Sequence, residues 1–315
     1  MYKKLLASGV TVSMLLVGSN VVHAEDNKVN EDIFIKGADL NSTQLEETKD
    51  QLDVGNGFKE YSVTTDDVGK YTGNNTLSHI YSSATIEPKK FGKGVNVEIE
   101  TPDNITRITK EQYTNAAISA GVQDSDIKVA SVESVTGEGA LTGIYKAYDE
   151  NGKGLNQQDI TNANQEMDEL ASISEENQNQ DGYSDEALNH TVAETKQEIA
   201  KQKQENGDLS EEEVKNIVDE KLKSNGLNKV LNDNQINTIN NIMVNVSDSK
   251  VMNNDPKAFE KQAKDLSNSI KDKAGDLIDK AKGLNTDKNR NFLQKIWDAI
   301  VEFIMSIVNA IKSFF

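Results

Sequence analysis

The hydrophobic period of the chain changes near residues 136–139, and the elements on either side can be read outward from there. Ile127, Val129, Val132 and Val135 form a β-branched run, whereas Ala140, Leu141, Ile144, Tyr145 and Tyr148 recur at helical spacing as far as residues 149–152. The pattern predicts a buried strand that feeds an apolar helix through a Gly-rich turn, a place where α/β folds often hold ligands.

Upstream, the IFIKGADL phrase predicts a strand, and Asn41 with Gln44 three places on starts a helix that runs through Leu52. Residues 61–63 predict a short strand, after which Thr65 is expected to cap a helix over residues 66–71. Residues 80–88 and 94–100 are extended runs. In the second, Val95, Val97 and Ile99 alternate with Asn96, Glu98 and Glu100, and the intervening PKKFGKG makes the two a hairpin. Thr109 and Gln112 form a capping box for a helix that presents Tyr113, Ala116, Ala117 and Ala120 and stops at Gly121. That helical crossover makes the strands at residues 94–100 and 127 parallel if they are neighbours.

Beyond residue 154 every periodic segment is helical. Ile160, Ala163, Met167, Leu170 and Ala171 form one stripe, residues 174–185 read as a polar linker, and a polar helix covers residues 186–204. Capping boxes at Ser210/Glu213 and Asn232/Gln235 open two further helices that read as an α-hairpin, followed by an amphipathic helix over residues 256–284. The last segment has Phe292, Ile296, Trp297, Ile300, Phe303, Ile304, Ile307, Ile311, Phe314 and Phe315 on a wide apolar face. Asp298, Glu302 and Lys312 on the opposing stripe argue against a membrane span. This helix is expected to contact a membrane surface or a protein partner, or else to close the helical bundle.

The expected fold class is therefore α+β, with a mixed-sheet α/β N-terminal domain over residues 25–154 and an all-α helical region over residues 155–284. A C-terminal amphipathic helix occupies residues 285–315. A hydrophobic fraction of 36% suggests that the helical region is elongated and not a second compact globule.

Composition sets the address. Residues 1–24 carry Lys3 and Lys4, an uncharged stretch and a Val-His-Ala end, the pattern of a secretory signal peptide, and many polar residues disfavour the alternative of a retained anchor. Cysteine is absent, which excludes disulfides and thiolate metal sites. A formal charge of −18 makes nucleic acid an unfavourable partner and predicts a solvated acidic surface.

Four places invite a chemical reading. Gly137, Glu138 and Gly139, with Gly143 four further on, sit where a phosphate loop would, but Glu138 opposes phosphate and no lysine follows. A tight turn with Glu138 complementing the helix N-terminus fits better, and no cofactor is expected. Residues 177–182 imitate the start of a calcium loop, yet the twelfth position is Leu188; Asp124 and Asp126 read as turn residues, so no metal site is expected. His79, near Ser82 and Ser83, and His190 read as structural, and no hydrolase or zinc motif is present. Catalytic residues stay unknown.

Whole phrases carry a resemblance: VTTDDVGKYTG at residues 63–73, IYSSATIEPKKFGKGVNVEIETPDNIT at 80–106, YTNAAISAGV at 113–122 and VASVESVTGEGALTGIYKAY at 129–148. With the LSEEEV and LNDNQI helices, the chain resembles the YpuA-like secreted proteins of Gram-positive bacteria, the domain of unknown function 1002 family, over most of residues 33–244. The resemblance implies an extracellular protein and no assigned reaction. The leading expectation is a secreted, cell-envelope-associated binding or structural module that is not an enzyme. The alternative is a carboxylate-based envelope hydrolase with its site near the Gly137 turn.

Overall fold

The computed structural model describes residues 28–90 and 94–283. The expected signal peptide, residues 1–24, and the C-terminal amphipathic helix, residues 285–315, lie outside the described residues.

Five strands form one mixed sheet: β1 (Ile33–Gly37), β2 (Lys59–Val63), β3 (Ser83–Pro88), β4 (Asn96–Ile99) and β5 (Ser125–Ala130), in the order β2-β1-β3-β5-β4. β1 pairs parallel with β2 and antiparallel with β3, while β5 runs antiparallel to β3 and parallel to β4. The α+β expectation and the parallel crossover into β5 both hold. The hairpin of residues 80–100 does not form, because β5 inserts between β3 and β4. Burial explains the order: β4 exposes Asn96 and Glu98, as an edge strand tolerates, whereas Ile127, Val129 and Ala130 of β5 are fully buried and belong in the interior.

Register places Lys59, Ile33, Ile86, Ile127 and Val97 in one row across the sheet, and Tyr61, Ile35, Ala84, Val129 and Ile99 in the next row on the same face. That face is covered by α3 (Lys110–Ala120), which lies over β4, and by α4 (Glu138–Glu150), which lies over β1, β2 and β3. On the opposite face Phe34 packs with Leu52 and Ala130 under α1 (Ser42–Gln51). α2 (Thr65–Thr72) is capped by Thr64, one residue before the expected Thr65, with Asp67 completing the box.

The remaining α-helices among the described residues are α5 (Gln157–Asn177), α6 (Asp185–Asn206), α7 (Glu211–Ser224), α8 (Asp233–Ser247), α9 (Lys250–Asn254) and α10 (Pro256–Gly283). They are not elongated away from the sheet. α5, α6 and α10 pack against α3, and α10 lies along α6. One apolar cluster runs from Val29 and Ile33 through Tyr113 and Tyr145 to Phe259 and Ile278. The reason is α3 itself: every residue from 112 to 120 is buried, so its alanines meet the sheet on one side and α5 and α6 on the other. The linker expected at residues 174–185 is shorter than its polarity suggested. α5 continues to Asn177, and the Tyr183 hydroxyl donates to Asp185 Oδ1 and is hydrogen-bonded to the Ser174 hydroxyl, both at 2.9 Å.

Candidate functional site

The turn between β5 and α4 is built by close packing. Beyond β5, Val135 N donates to Asn104 O at 2.9 Å and Asn104 Nδ2 donates to Ser131 O at 2.7 Å, which fixes the approach to Gly137. Gly137 has φ +103° and accepts a 2.6 Å hydrogen bond at its carbonyl from the Tyr113 hydroxyl. A Cβ there would lie 2.2 Å from that hydroxyl. Added to Gly139 it would lie 2.9 Å from Ile80 Cγ2, and added to Gly143 it would lie 2.4 Å from Ile35 Cγ2. The three glycines of the Gly-Glu-Gly turn and its helix thus let α4 sit directly on the sheet and on α3.

Glu138, the first residue of α4, turns away from the sheet. Its Oε2 accepts from Asn74 Nδ2 at 2.7 Å, and its Oε1 lies 3.5 Å from Arg107 Nη1. The same guanidinium reaches Asp168 Oδ1 at 3.1 Å and, through Nε, Glu175 Oε1 at 3.3 Å. One cation therefore serves three carboxylates. Burial pushes the Glu138 carboxyl above the usual carboxylate range and Asp168 adds to the push, while Asn74 and Arg107 oppose it. Glu138, Asp168, Asn74 and Asn164 line a cleft of about 260 Å³. A sheltered carboxyl with a raised pKa beside a second carboxylate can donate a proton; the same set is also an ion cluster that ties α4 to α5. Arg107, Asn74, Asp168 and Glu175 carried no motif. The one available signal was compositional: Arg107 is the one arginine between residues 28 and 283 in a chain that otherwise uses lysine there.

The remaining candidates are placed apart from this cluster. His79 Nδ1 lies 3.5 Å from Asp39 Oδ1 on an exposed segment, and its ring centroid is 5.8 Å from that of Tyr81. His190 is buried, its Nδ1 3.0 Å from Ser267 O. Asp124 (φ +42°) accepts from Gly94 N at 2.7 Å, and Asp126 pairs with Lys89 at 3.3 Å. Asn177 Nδ2 donates to Ile173 O and Gln180 Nε2 to Val230 O, so these side chains of the calcium-like segment bond within the protein. Among the described residues, no group of three His, Cys, Asp or Glu side chains is arranged to hold a metal ion, and no helix is long and apolar enough to cross a membrane. The ten apolar residues from Phe292 to Phe315 fall outside the described residues.

Fold and cluster together define an α+β protein whose mixed sheet is roofed by two buried helices and then by a second helical layer. The chain belongs to the family described as Protein of unknown function (DUF1002), whose model matches residues 36–266. It is 29% identical to the uncharacterized protein YpuA of Bacillus subtilis (strain 168), over an alignment that covers 99% of each chain. No solved structure matches it.

Proposed function

We propose that the chain is a secreted, cell-envelope-associated binding or structural module that meets a membrane surface or protein partner through residues 291–315. One observation carries the contact: ten apolar side chains, from Phe292 to Phe315, recur at helical spacing on one wide face in a chain of formal charge −18. An apolar stripe of the width set by Ile296, Trp297, Ile300, Phe303 and Ile304 needs an apolar neighbour, and a membrane surface or a protein partner supplies one. Export is supported by the pattern of residues 1–24. Fractionation of cells that express the full chain or a variant ending at Gly283 tests the reading. The full chain is expected with the envelope and the shortened chain in the medium; equal release of both refutes the contact.

A second reading, a carboxylate-based envelope hydrolase, is favoured by one feature, the raised pKa of Glu138 beside Asp168 in the same cleft. It requires that purified protein cleave wall material and that Glu138→Gln abolish the cleavage. Undiminished activity in that variant, or no cleavage by the native protein, removes this reading.

A further inference from the structure

On the other side of the Gly137 turn, donors converge without acceptors. Asn41, Thr64, Thr109, Asn156, Ser184, Ser210 and Asn232 place a side-chain oxygen on the first N–H groups of α1, α2, α3, α5, α6, α7 and α8. α4 starts from Gly137 and has no such cap. The N–H groups of Glu138 and Gly139 make no hydrogen bond among the described residues. Neither does the hydroxyl of Ser82, although this residue is only 3% exposed. Ser82 Oγ lies 2.9 Å from where a Cβ on Gly139 would stand, so the unspent hydroxyl and the uncapped helix end meet at one spot. Ser82, Gly137 and Gly139 line a cleft of about 320 Å³ together with Ser78, His79 and Thr136.

We propose that this cleft binds a carboxylate group, held by the N–H group of Gly139 at the uncapped start of α4 and by the Ser82 hydroxyl. Two donors of buried residues without acceptors favour a ligand that brings acceptor oxygens. The positive end of a 13-residue helix favours one that is negative. The surroundings limit how negative. Glu138 itself carries a carboxylate on the first turn, although it faces Arg107 and Asn74, and Asp39 stands behind His79, its Oδ2 accepting from Ile80 N at 2.7 Å. Among the described residues no lysine or arginine lines the cleft. Each added unit of ligand charge is repelled by these acids without a compensating cation, so a monoanion is preferred to a phosphate dianion. Two sources present the same group, the C-terminus of a peptide and an acidic sugar.

Titration of the ¹⁵N-labelled full chain with N-acetylalanine, with glucuronate and with inorganic phosphate separates these cases. Saturable shifts of the Gly139 amide signal with N-acetylalanine alone assign the peptide source, and with glucuronate alone the acidic sugar; both support the site. Ser82→Ala removes a hydroxyl that bonds nothing in the fold, so the ligand-free thermal midpoint should stay unchanged while carboxylate binding weakens roughly tenfold. The proposal is overturned by no shift with either carboxylate, by phosphate binding more tightly than both, or by unchanged carboxylate affinity in Ser82→Ala.

Discussion

Lys196 Nζ lies 2.5 Å from Glu166 Oε1, and both side chains are wholly withdrawn from solvent where α6 meets α5 beneath α3. Ser119 donates to the other Glu166 oxygen at 2.7 Å, and Lys196 also donates to Asn115 O at 2.9 Å, so both charges are satisfied by α3. Removing one partner leaves the other charge buried and alone. Lys196→Met is therefore expected to cost about 3–5 kcal/mol, and Lys196→Met combined with Glu166→Leu to regain most of that loss. Urea unfolding followed by circular dichroism measures both variants. Equal destabilisation of the single and double variants would contradict the coupling.

The glycines of α4 and α10 should respond to alanine in opposite directions. A Cβ on Gly143 meets Ile35 Cγ2 at 2.4 Å, and overpacking at the helix-sheet contact should destabilise by about 1–3 kcal/mol despite the better helix propensity of alanine. Gly275 in α10 has nothing near its Cβ position, and Gly275→Ala should stabilise by about 0.5–1 kcal/mol. A thermal midpoint that falls in the first variant and rises in the second is the expected result.

Glu138 gives stability a pH dependence with a definite sign. Its folded pKa is raised, chiefly by burial and then by Asp168, so just above the unfolded carboxylate range the native state holds the proton that the unfolded chain has released. Stability from this group therefore falls as pH rises through that window and levels off above the folded pKa. Glu138→Gln lacks this loss. Compared with the native protein it should be relatively more stable at pH 7 than at pH 4, in paired urea unfolding curves. A difference independent of pH contradicts the assignment.

The shared core predicts how a fragment behaves. Residues 25–154 alone keep the sheet, α3 and α4 but lose α5 and α6, which exposes Asn115, Ser119 and the apolar side of α3. Such a fragment should bind a hydrophobic dye and show poor amide dispersion, whereas the intact protein should do neither. A well-dispersed, dye-free fragment would mark residues 25–154 as an independent folding unit.

Much of this architecture was legible along the chain. The capping boxes at Asn41/Gln44, Thr109/Gln112, Ser210/Glu213 and Asn232/Gln235 all form as read, since each is a contact between residues three apart. The Thr64/Asp67 box shows the resolution of such readings, because two adjacent threonines compete and Asp67, which accepts from Thr64 N at 2.8 Å, decides between them. The glycine turn was legible as a turn, and its packing partners were not. Ile80, Tyr113 and Ile35 reach it from three separate elements.

By itself the sequence determined the period of each element, most of its ends and the family to which the chain belongs. These follow from neighbours a few residues apart, or from phrases that need no folding to be compared. Tertiary structure alone decided that β5 separates β3 from β4, that the helices close over α3, and that Arg107 gathers Glu138, Asp168 and Glu175. It also brought Ser82 to the uncapped end of α4. Each of these joins residues tens of positions apart, and such pairings are selected by burial summed over the whole core, which no single segment of the sequence contains.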